Sequence, residues 1–98
     1  MDDRIVTLHP DPGKQGVRIE RAKYEQMRDT MVAILKNRGS LSFTALLAAL
    51  EEALSGRFDG SLSWYGTTVK LDLEARGLLE RQGKSPQMIR LTEVQDAD

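Results

Sequence analysis

The tripeptide HPD at residues 9–11 carries the chain's one histidine, and a histidine beside an aspartate is where acid–base or metal chemistry would first be sought. A metal site needs three or four converging ligands, and with one His and no Cys in the chain His9 has no imidazole or thiolate to join it. Its place beside Pro10 and Pro12 reads as a turn. Glu51 and Glu52 are a second acidic pair, but neighbours on a helix point about 100° apart and cannot share a proton between them. Serines and threonines are numerous, yet a hydroxyl nucleophile needs a base within reach, and His9 sits in a turn. The GKSP at residues 83–86 lacks the spacing of the GxxxxGK[ST] phosphate cradle. These residues predict no catalytic group, no bound metal, no cofactor and no enzyme.

What remains is recognition. In WYGTTVKLDLEARGLLERQ, residues 64–82, a helical run breaks at Gly77 and leaves as a strand. With Val69 at the centre of the buried face, Leu62, Tyr65, Gly66, Leu73 and Arg76 fall within about 60° of it. The opposite face carries Trp64, Thr67, Thr68, Leu71 and Ala75. It holds no Arg, Asn or Gln, the side chains that bond purine edges bidentately, so sequence-specific readout by this helix alone is not expected. Three readings of the face stand: Trp64 and Leu71 pack under the N-terminal segment or the hairpin, they form a dimer or partner surface, or they meet nucleic acid. Lys84, flanked by Arg81 and Arg90, could neutralise a few phosphates or serve as ordinary edge protection. Lys14, Arg18, Arg21 and Lys23 form a looser second cluster.

The elements that must hold these residues follow from pattern. RIVTL at residues 4–8 and VRIE at 17–20 are β-branched runs around the Pro- and Gly-rich HPDPGKQG, which predicts a hairpin or arm over residues 1–20. Tyr24, Met27, Met31, Ile34 and Leu35 make one stripe of a helix over 21–37, stopped by Gly39. Ser42 reads as the N-cap of a second helix running to Leu54, with Leu41 and Leu46 at staple spacing. After the loop SGRFDGSL, anchored by Phe58, a third helix begins near Ser61 or Ser63 and runs to Arg76, with Gly77 at C′ and Leu78 at C″. Strands flanking GKSP make a hairpin over 78–92, with Ile89 and Leu91 on one side and Met88 and Arg90 on the other. Residues 93–98 are an acidic tail.

Ninety-eight residues, 40% hydrophobic and 30% charged, suit one α+β domain with no room for both a full core and a deep substrate cavity. The net charge of -1 is unevenly spread. Residues 63–92 hold five Lys and Arg against three Asp and Glu, while the tail holds three acids and no base. A dedicated duplex binder shows a stronger basic stripe. No apolar run approaches the roughly 20 residues of a membrane span, and MDDRIV has no signal-peptide core. The expectation is a soluble, cytoplasmic chain that engages no membrane.

The order of three helices and a two-stranded hairpin, with a small strand element in front, resembles the winged helix-turn-helix family. The residues that carry the likeness are LDLEARGLLER followed by MIRLT, which look like a recognition helix entering its wing in many small bacterial transcription regulators. HPDPG, VRIERAKYEQMR and the Trp-containing turn into TTVKLDLEARG also resemble a group of small bacterial proteins of unassigned function. The loop of about eight residues before the third helix is longer than the tight motif's turn of three or four. In DNA-binding members the third helix enters the major groove and the wing touches the backbone. The resemblance therefore implies nucleic-acid contacts at Thr67, Thr68 and Lys70 on the helix and at Arg81, Lys84 and Arg90 on the wing. Its implied function is a regulatory module with weak or non-specific contact to double-stranded DNA; the alternative is a protein-interaction or homodimerising winged helix using Trp64 and Leu71.

Overall fold

The computed structural model describes residues 3–92, which form three helices and two small antiparallel sheets. Strands β1 (Arg4–Val6) and β2 (Arg18–Glu20) pair with Ile5 opposite Ile19, and the chain passes directly into helix α1 (Arg21–Arg38). Of the periodic residues of α1, Tyr24, Met27, Met31 and Leu35 are buried, and Ile34 is half-buried at the edge of the core. Beyond Arg38 the chain turns through Gly39, whose N–H bonds the Leu35 carbonyl at 2.8 Å.

A strand the sequence pattern does not announce follows, β3 (Ser40–Ser42), leading into helix α2 (Phe43–Leu54). The Ser42 hydroxyl accepts from the Ala45 N–H at 3.2 Å, as an N-cap should, and Leu46, Leu50 and Leu54 enter the core. Helix α3 (Leu62–Ala75) is capped by Ser61, not Ser63, through a bond from the Trp64 N–H at 3.1 Å. Val69 and Leu73 are fully buried. A side chain at Gly66 would meet the Leu47 and Leu50 side chains of α2, so the helices meet through leucines there.

The end of α3 is a Schellman stop. The Gly77 N–H reaches the Glu74 carbonyl at 3.1 Å and the Leu78 N–H reaches Leu73 at 2.9 Å. Gly77 has φ +81, where a Cβ is disfavoured. Strands β4 (Leu79–Gln82) and β5 (Met88–Leu91) return antiparallel. The hairpin is not a free two-stranded flap: β5 lies between β4 and β3, with Leu41 opposite Ile89. Leu41, Leu79 and Ile89 thereby join the helical core, which explains how so short a strand as β3 is held. No helix in the described residues is long and apolar enough to cross a membrane. The acidic tail at 93–98 lies outside the described residues.

Candidate functional site

The outer face of α3 is not bare. The segment between β1 and β2 lies along it, and one shallow hollow of about 160 Å³ takes walls from both: Leu8, Gln15 and Val17 from the arm, Trp64, Thr68 and Leu71 from the helix. The arm is closed by Thr7, whose hydroxyl donates to the Val17 carbonyl at 3.1 Å and accepts from the Val17 N–H at 2.9 Å. Gly16 must be glycine for this closure, because a Cβ there would stand 1.7 Å from the Thr7 carbonyl oxygen.

What ties the arm to the helix is Asp72, whose helical spacing puts it about as near to Val69 around the axis as Gly66, at the edge of the buried face. It is fully buried and collects three donors. The Leu8 N–H donates to Oδ1 at 2.8 Å, while the Tyr24 hydroxyl and Arg76 Nε donate to Oδ2, the latter at 2.8 Å. A buried carboxylate is tolerable only when its oxygens are filled in this way. Burial, reinforced by the bond to Asp72, pushes the Tyr24 hydroxyl up to about 12. One side chain therefore joins α1, α3 and the arm.

The residues implied as nucleic-acid contacts fare unequally. Thr67 and Thr68 are half-buried on α3, Thr68 against the arm. Lys70 is turned inward and only 8% exposed. Its ammonium lies 2.9 Å from Glu74 Oε2 and 5.2 Å from the centre of the Phe43 ring. Arg81 reaches the other oxygen of the same carboxylate at 3.3 Å, and Arg90 pairs with Glu80 across the hairpin at 2.5 Å. Neither cation meets Glu74 in hydrogen-bond geometry, so that buried carboxylate is held by charge. Lys84, at the hairpin tip, is exposed and has no carboxylate partner among the described residues. The structure thus does not bring the four cations together as one free surface. Sequence signals for this exist: Lys70 and Glu74 are four apart on a helix, and Glu80 opposes Arg90 once the hairpin register is known.

The interface pair divides as well. Leu71 is half-buried beside the arm, whereas Trp64 stays 46% exposed at the rim, edge-on to Tyr65 at 4.9 Å. Tyr65 in turn stands edge-on to Phe58 at 5.0 Å, so the loop before α3 buttresses the tryptophan. The other large apolar side chains left exposed among the described residues are Val6 at 55%, Leu8 at 44% and Val17 at 39%, all on the arm. Arg18 is exposed beside Trp64. Among the described residues, no group of three or more His, Cys, Asp and Glu side chains could hold a metal ion. His9 Nδ1 accepts from the Asp11 N–H at 3.0 Å, a bond internal to the turn.

The sequence profile of a family of unknown function, DUF6958, matches residues 4–89. The chain belongs to that family. The DUF6958 match takes in the arm, all three helices and both strands of the hairpin as far as Ile89. The arm and the helix it lies on are therefore within the DUF6958 span. No curated protein and no solved structure matches the chain.

Proposed function

We propose that the chain is a non-enzymatic binding module of winged helix-turn-helix architecture, and that it works by holding another protein against the surface formed by the arm and the start of α3. The order α1, β3, α2, α3 and then the β4–β5 hairpin, with β3 completing the sheet, supports the architectural reading. The observation that carries the functional one is that the large apolar side chains left exposed among the described residues, Val6, Leu8, Val17 and Trp64, all lie on the arm and the helix it covers. Scattered exposed apolar residues need no explanation, but Leu8 and Val17 share one hollow with Trp64, and apolar side chains gathered at a tryptophan are the composition of an interface centre. The cytoplasm is the setting this reading takes, and a chain without cysteine suits it.

A second reading, weak contact with duplex DNA independent of sequence, is favoured by Lys84 at the hairpin tip. With Lys70, Arg81 and Arg90 each paired to a carboxylate, such contact neutralises about one phosphate and weakens only about fourfold between 50 and 200 mM salt.

A photo-crosslinking residue placed at position 64, and separately at 84, decides between the two. The protein reading expects a discrete protein adduct from 64 and none from 84, with the purified partner binding the wild-type chain and not Trp64→Glu. A second copy of this chain in the adduct would make the module a homodimer. Adducts to DNA from position 84, with none to protein from 64, would overturn the protein reading.

A further inference from the structure

Trp64 is a ridge between two hollows of different chemistry. On one side lies the hollow of about 160 Å³, where Leu8, Val17 and Leu71 supply the aliphatic walls beside the polar Gln15 and Thr68, with room for a single aliphatic side chain. On the other lies an open hollow of about 300 Å³ lined by Arg4, Arg18, Ile19, Glu20 and Tyr65. Its one carboxylate, Glu20, is engaged by Lys23 at 3.2 Å. Arg18 is exposed and has no carboxylate partner among the described residues. A partly aliphatic socket and a guanidinium unpaired among the described residues thus flank one indole, and a guanidinium recognises a carboxylate by paired hydrogen bonds.

We infer that the partner presents to Trp64 a peptide segment in which an aliphatic side chain sits next to carboxylates, the former entering the Leu8–Val17–Leu71 hollow and the latter meeting Arg18. This rests on the protein-contact reading above and specifies its partner. Single-stranded nucleic acid fits the same surface less well. Its binders line up several open aromatic faces along a basic groove. Here Tyr65 is wedged edge-on between Trp64 and Phe58 and has the Lys23 ammonium over its ring at 5.5 Å, which leaves one indole for stacking.

Trp64 is the chain's one tryptophan, so its emission reports on this site alone. The probes are a short Trp-free peptide with leucines flanked by aspartates and glutamates, the same peptide with lysines replacing the acids, the same acids with serines replacing the leucines, and oligothymidylate. The expected result is that the first peptide moves Trp64 emission to shorter wavelength at micromolar concentration. Its binding should weaken about tenfold in Arg18→Glu and less in Arg18→Gln. Equal binding of the lysine peptide would overturn the charge specification while leaving a protein-docking surface in place. Equal binding of the serine peptide would overturn the apolar anchor. A response to oligothymidylate alone would overturn both this inference and the protein reading. Silence with all four probes overturns the inference, and the crosslink at position 64 then tells whether the docking surface survives it.

Discussion

At the scale of single residues, the surface is organised by two buried carboxylates, Asp72 and Glu74, which take up polar groups that would otherwise face outward. Tyr24 gives the first a measurable signature. The phenol loses its proton near pH 10 in the unfolded chain and is held until about 12 in the folded one. Its contribution is fully present below pH 10 and is lost as pH rises through about 12, amounting to about 2 to 3 kcal/mol. Urea unfolding across that window should show this loss, and Tyr24→Phe should be less stable by about 1 to 3 kcal/mol at pH 7 with a flatter alkaline profile. Glu74 predicts a second effect. Lys70→Ala leaves a buried carboxylate with Arg81 as its remaining partner and should cost about 3 kcal/mol, measured as a shift in the urea midpoint. A surface lysine would cost next to nothing. Lys70 shows why side-chain fate was hard to read: helical spacing orders residues around an axis, but which faces are covered depends on the elements packed there, here Phe43 and β4.

Among the elements, what was legible was local. Ser42 at a cap, Gly77 at C′ and the apolar stripe of α1 are each decided by a few neighbouring residues, and each forms as its sequence dictates. Gly77→Ala tests the stop directly. A Cβ would meet nothing within 4 Å, so only the +81 φ opposes it and the cost should be about 1 kcal/mol in thermal or urea unfolding. A loss several times larger would mean that α3 and the hairpin depend on more than that turn. The strand β3 was not legible. SLS alternates over three residues only, too few to mark a strand, and its pairing partners lie in β5, about fifty residues on. The hairpin follows from its local pattern, but the sheet it belongs to does not, and that sheet fixes β4 where Arg81 reaches Glu74.

For the molecule as a whole, the mix of helices and short strands could be read from pattern, while the relation of the arm to α3 could not. It hangs on a bond between the Leu8 N–H and Asp72, 64 residues apart in sequence. No periodicity encodes that. Yet it determines which surface the fold offers: with the arm in place Thr68 and Leu71 are partly covered, Trp64 stands at the rim, and the exposed apolar residues gather there. The closure of the arm over α3 thus decides which surface the protein offers, and amide hydrogen exchange at Leu8 probes that closure. The Leu8 amide should be protected to a degree comparable with the α3 amides around Asp72, and Asp72→Asn should lower that protection sharply. Exchange of the Leu8 amide at the rate of an unstructured peptide would contradict it, leaving α3 uncovered and the proposed surface without its arm.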